Sequence, residues 1–119
     1  MRRGDLQRAV LKGAKLEQVS FDLADLREAD LTAVNLRAST FSESDLRGAK
    51  LIGALLMEAR FKATKLENAD LIDAQLELAE FEGVDLERTR GLCLEQVKSM
   101  KIDGRTRLPT PLPNCSPKK

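Results

Sequence analysis

At 119 residues the chain fits a single domain with a modest core of its own. A net charge of +1 and a pI near 7.8 lack the basic excess of a general nucleic-acid or membrane-surface binder, and four Phe with no Trp or Tyr leave almost nothing for stacking bases. There is no His, no phosphate-cradling GxxxxGK[ST] and no apolar run of membrane-spanning length, so no cofactor, metal, nucleic acid or bilayer is expected as a partner.

The chain opens on "MRRGDLQRAV", which has two basic residues before Gly4 but no apolar run of signal-peptide length. Cys93 and Cys115 form no CxxC or metal-ligand spacing, and no resolving partner for Cys93 is near in sequence. Together these features predict a cytoplasmic chain in a reducing compartment.

Repeat register begins at Gly4 and Leu6. From Leu6 to Leu86 every fifth residue is Leu or Phe, 17 positions in all, and the residue two before each is small, as in Ala24, Ala29, Val34 and Ser39. At about 100° per residue, a helix would scatter residues five apart over all its sides. A strand fails as well, because an odd step sends successive leucines to opposite faces. Short extended pieces separated by corners can turn every centre and every small residue toward one axis. Phenylalanine takes the centre at Phe21, Phe41, Phe61 and Phe81 alone, which predicts four pentapeptides per coil and an aromatic ladder on one inner wall. Coils stacked at about 4.8 Å then make a rod roughly 20 Å long.

Asp5, Asp25, Asp30, Asn35, Asp45, Asp70 and Asp85 precede centres and look like a row of catalytic carboxylates. They recur because the repeat recurs, and a short polar side chain at a corner is suited to bonding nearby backbone. No enzyme is expected. Outward positions discriminate better, since an apolar residue there has no place in the core. Ile52 and Ile72 lie one coil apart, Leu55 and Met57 flank the neighbouring centre, and Leu78 lies one coil beyond Glu58. These five are candidates for a protein-binding corner, with scattered surface apolars or cover by the tail "LPTPLP" as the competing readings. Charge is uneven: residues 1–65 carry +3, residues 66–89 carry −7 and residues 90–119 carry +5. Glu67, Glu77, Glu80, Glu82 and Glu87 are therefore candidates for an acidic binding wall, unless the basic tail folds onto them.

The register stops where Gly91 stands in place of Leu. "LCLEQVKSMKI" then places Leu94, Val97 and Met100 at helical spacing, which predicts a short capping helix. Asp103-Gly104 and four prolines follow and predict an extended or disordered tail. The expected division is a solenoid over 1–90, a helical cap over 91–103 and a tail over 104–119. Three readings of the uncovered first coil stay open: Arg2 and Arg3 repel association, the edge is a surface for self-association, or the chain is the carboxyl part of something longer.

"ADLRE", "ADLTA" and "ADLID" resemble the pentapeptide-repeat family, whose unit is commonly written A(D/N)LXX, over about residues 4–90. The resemblance implies an all-β fold, a right-handed quadrilateral β-helix of about four coils, and "RGLCLEQVKSMKIDGRTRLP" looks like the closing segment of many members. It implies less about function, because the family spans DNA-mimicking gyrase-interacting proteins, regulators of differentiation and others. Duplex DNA carries one charge per ~1.7 Å, so a mimic roughly 20 Å long needs on the order of a dozen net negatives. Residues 1–90 carry −3. The expected function is a non-enzymatic scaffold or protein-interaction module with an unknown protein partner; a regulator that binds a type II topoisomerase is the alternative.

Overall fold

A computed structural model describes residues 4–115, so Arg2 and Arg3 lie outside the described residues. Its backbone closes on itself every 20 residues. Asp5 pairs in parallel with Asp25, Asp25 with Asp45, Asp45 with Lys65, equivalent bridges recur every five residues up to Arg60 with Glu80, and Asp70 pairs with Arg90. Each contact is one ladder step wide: the N–H of Leu26 donates to the carbonyl of Asp45 at 2.8 Å, and the N–H of Asp45 donates back to the carbonyl of Ala24 at 3.0 Å. Four such steps per coil give four walls. We number them from the phenylalanines: the first holds Phe21, the second Leu26, the third Leu31 and the fourth Leu36.

The corners explain why a five-residue unit suffices. At most corners the N–H of the small residue donates to the carbonyl of the preceding centre, as from Ala29 to Leu26 at 3.1 Å, while the Val19 N–H donates to the Ser39 hydroxyl at 3.1 Å instead. The residue just before the small one has positive φ, for example Glu28 at 59°, Ala33 at 58° and Leu78 at 60°. Positive φ at the third turn position alone is the signature of a type II turn. The turn reverses the outward drift of the chain and aims both the centre and the small residue at the axis.

Inside, the leucines and phenylalanines stack in columns and are buried from Phe21 onward. The four phenylalanine rings stack nearly parallel, with centroids 5.4, 4.9 and 4.6 Å apart and planes within 9° of parallel. Where the small inward residue is polar, its hydroxyl finds a carbonyl: Ser39 donates to Leu16 at 2.7 Å, and Thr64 to Phe41 at 2.6 Å. Burial of these groups is therefore compensated.

Beyond Gly91 the chain keeps circling but loses the five-residue step. One short element, β1 (Glu80–Phe81), belongs to the fourth coil before this part, and two more, α1 (Leu94–Ser99) and β2 (Lys101–Ile102), lie here. β2 pairs in parallel with β1, Glu80 opposite Lys101, and Arg107 then bridges Asp85. The offset grows from 20 to 21 and then 22 residues because a helix and a turn now stand where pentapeptides stood. Leu108 and Leu112 pack against the core as the tail returns toward α1.

Candidate interaction site at the third and fourth walls

The repeat carboxylates are occupied by their own corners. Asp5, Asp30, Asp70 and Asp85 accept hydrogen bonds from the backbone N–H two residues on, at 3.2, 3.1, 3.1 and 3.0 Å, and Asp25, Asn35 and Asp45 do the same. On the second wall Asp25, Arg27, Asp45 and Arg47 also form an ionic ladder, with contacts of 2.8, 3.8 and 2.6 Å. The Arg27 side chain, hydrogen bonded to Asp25, holds that carboxyl below its ordinary pKa. At Asp45 burial pushes upward, but hydrogen bonds from Arg47 outweigh it and the result is again a lowered pKa. Carboxylates held ionised and bonded in this way serve shape rather than proton transfer.

The apolar candidates divide. Ile72 and Leu78 are exposed, at 43% and 51%, whereas Ile52, Leu55 and Met57 are half-buried. Ile52 and Ile72 stand on the third wall, Leu55 and Met57 on the fourth, and Leu78 at the corner leading to the first. Val10 and Ile102 are exposed too, although sequence reasoning singled out neither. The acidic candidates do not make one wall. Register places Glu67 and Glu87 on the second wall, Glu80 and Glu82 on the first, and Glu77 on the fourth, because only residues 20 apart stack. Two of them already have cations: Arg60 lies 3.8 Å from Glu80, and Arg107 of the returning tail 3.3 Å from Glu87.

One concave feature of the surface lies where the fourth coil meets α1 and the tail. A cleft of about 640 Å³ is bounded by Ile72, Asp73 and Glu77 from the solenoid, Glu95 and Gln96 from α1, and Pro111 and Pro113 from the tail. Of the ten candidates only Ile72 and Glu77 border it. Gly91 makes the approach possible: φ is 84°, and a Cβ there would meet the Ile72 side chain and come within 2.7 Å of the Ile72 nitrogen. Gln96 ties α1 to the corner, its amide nitrogen donating to the carbonyls of Leu71 and Ala74 at 2.9 Å each while its oxygen accepts from Cys93 N–H at 2.9 Å.

Cys93 and Cys115 are joined in a disulfide at the rim of this cleft. Cys93 lacks a resolving partner near in sequence, and its partner is instead distant in sequence: 22 residues separate the pair, but the tail folds back so that their Cα atoms lie 5.0 Å apart. Glu95 reinforces the junction by accepting from the Cys115 N–H at 3.0 Å, which lowers the Glu95 pKa. The carboxylate of Glu95 lies within 4.8 Å of both sulfurs, but with the sulfurs bonded to each other the trio has no thiolate to offer a metal.

The pentapeptide repeat region, as a family, matches residues 5–90. The chain belongs to the pentapeptide repeat family. Among solved structures it is similar to a pentapeptide repeat protein, Rfr23, from the cyanobacterium Cyanothece, with 28% identity, a TM-score of 0.67, and coverage of 79% of this chain and 63% of that one. Two more distant likenesses show the same fold. A pentapeptide repeat protein of the Arabidopsis thaliana thylakoid lumen has 22% identity and a TM-score of 0.63, covering 83% of this chain and 61% of that one. HetL from Nostoc, a protein involved in heterocyst differentiation regulation, has 24% identity and a TM-score of 0.59, covering 87% and 48%. This pentapeptide repeat chain thus spans less than two thirds of the length of each. No curated protein matches it.

Proposed function

We propose that this pentapeptide repeat protein is a non-enzymatic interaction module whose rigid solenoid presents the corner between the third and fourth walls to a protein partner. One observation carries the reading: at that corner exposed Ile72 stands beside a cleft of about 640 Å³, while the repeat carboxylates are consumed in corner turns and ladders. A surface that combines exposed apolar area with concavity is suited to holding a partner side chain. The topoisomerase alternative draws no support from the charge distribution, since the five acidic candidates are spread over three walls and Arg60 and Arg107 offset two of them.

The test is a pull-down from source-cell lysate with the wild type beside an Ile52→Glu, Ile72→Glu double variant whose circular dichroism matches the wild type. Loss of a specific protein by the variant supports the site. Equal recovery of every protein overturns it. Binding through this corner should also respond weakly to salt, whereas charge mimicry would weaken steeply as ionic strength rises.

A further inference from the structure

The cysteine pair closes a loop that joins the first residue before α1 to the last described stretch of the tail. Between them lie α1, β2, the Asp103 turn and the prolines, so the whole end of the solenoid is enclosed by one covalent link. Among the described residues few other bonds hold the returning tail there. Leu94 N–H donates to the Pro113 carbonyl at 2.8 Å, Cys115 N–H donates to Glu95, and half-buried Leu108 and Leu112 rest on the core. By contrast, the preceding stretch is anchored independently of the sulfurs: Thr106 Oγ1 donates to Phe81 carbonyl at 2.7 Å, Arg107 N–H donates to Val84 at 3.1 Å, and Arg107 carbonyl accepts from Leu86 at 2.7 Å. The chain therefore has a firm anchor at 106–107 and, from 108 onward, a segment whose far end is fixed chiefly by sulfur.

We infer that the Cys93–Cys115 disulfide is a reducible clasp: oxidised, it holds residues 108–115 over the end of the core and as one side of the cleft, and reduced, it lets that segment leave while the coils stay folded. Both cysteines are half-buried at the cleft rim, within reach of a thiolate from solvent. The reaction balances with an external dithiol. Its first thiolate attacks one cysteine sulfur and forms a mixed disulfide, and the other cysteine leaves as a thiolate that takes a proton. The second external thiolate then resolves the mixed disulfide. Cys93 and Cys115 end as thiols, and the dithiol is oxidised to its own disulfide. Disulfides persist in oxidising compartments and are reduced by cytosolic thiol systems, so the two clasp states correspond to two cellular environments. Opening removes Pro111 and Pro113 from the cleft, which would make the interaction proposed above depend on redox state. The clasp itself does not depend on that interaction, and its test needs no partner.

The experiment compares the full chain, oxidised and after treatment with excess dithiothreitol, by amide hydrogen exchange. In the reduced form the amides of Leu94 and Cys115 should exchange at least tenfold faster, while those of Leu86 and Arg107 at the anchor should keep their protection. Amides that join the coils, such as Leu46 to Lys65 and Leu51 to Asp70, should not change. A Cys115→Ser variant should show the reduced behaviour without reductant. Unchanged exchange at Leu94 and Cys115 after verified reduction would overturn the clasp, because the tail would then be held by packing alone. Acceleration throughout the coils would overturn it as well, since the bond would then support the whole fold rather than its end. If neither treatment affects the tail but the Ile52→Glu, Ile72→Glu variant still loses a partner, the interaction reading survives and only the clasp fails.

Discussion

Residues 21–90 and residues 91–115 stack on the same axis but are held together differently. In the coils a few interactions recur: a buried centre, a small inward residue, a corner turn closed by one hydrogen bond, and a bridge to the residue 20 further on. Each coil is a copy of its neighbours, and stability is close to a sum of repeat and neighbour terms. In the closure each interaction occurs once. One glycine admits the backbone beside Ile72, one glutamine bonds two corner carbonyls, one aspartate holds a turn to the fourth coil, and one disulfide fixes the end. Repetition makes the coils tolerant of surface change, while the closure can be detached at single points, as a segment that alters without unfolding the rest requires.

The largest test of this contrast is Phe61→Ala. Phe61 is buried between Phe41 and Phe81, with centroids 4.9 and 4.6 Å away, so truncation removes two stacked contacts and opens a cavity in the middle of the column. A loss of about 3–5 kcal/mol is expected in chemical denaturation, with the midpoint and not only the tail affected. Gly91→Ala should come next. Its Cβ would press on the Ile72 backbone in a conformation L-residues avoid, at a cost of about 1–3 kcal/mol from overpacking. That loss should appear as faster amide exchange at Leu94 and Cys115, with the Phe41 region protected. Equal exposure of both regions would mean that coils and closure unfold as one unit.

A smaller change should run the other way. Glu58 is exposed with φ of 63° at a corner where glycine meets no steric penalty. Relief of the positive-φ strain, about 1–2 kcal/mol for an L-residue, exceeds the added freedom glycine brings to the unfolded chain, about 0.5–1 kcal/mol. Glu58→Gly should therefore raise the denaturation midpoint slightly, and a drop would show that the corner depends on its side chain.

The same contrast decides what could be read from the sequence. The stacked phenylalanines follow from Phe21, Phe41, Phe61 and Phe81, because a feature stated many times fixes its own period. The corner role of Asp30 and Asp70 follows from recurrence too. Nothing repeated announces that Cys93 meets Cys115, that Gln96 bonds Leu71 and Ala74, or that Arg107 returns to Glu87. Those contacts depend on the path of a single non-repeating segment, and sequence separation hides spatial adjacency. Glu67, Glu77, Glu80, Glu82 and Glu87 show the converse error: they are crowded in sequence, but a coil of 20 residues spreads them around its walls.

The mildest perturbation is acid, and it should reach the closure before the coils. Asp103 accepts hydrogen bonds from the N–H of Gly83 at 3.1 Å and of Arg105 at 3.0 Å, joining the turn to the fourth coil. Led by the Gly83 bond, these bring its pKa from an ordinary 3.8 down to about 2. The folded state thus favours the ionised form. Its contribution is fully present above the unfolded pKa near 4 and is lost as pH falls through the folded value near 2. Glu95, lowered by the Cys115 N–H, shifts in the same direction within the same segment. Between pH 4 and pH 2, amide exchange at Gly83, Arg105 and Cys115 should gain on that of the coil amides once the intrinsic pH dependence of exchange is removed. Asp103→Asn should flatten the response at Gly83 while leaving that at Cys115, where Glu95 is the titrating group. A uniform response along the chain would place the acid-sensitive contacts in the corner carboxylates instead, since Asp25, Asp30 and Asp45 are lowered as well and would then release every coil together.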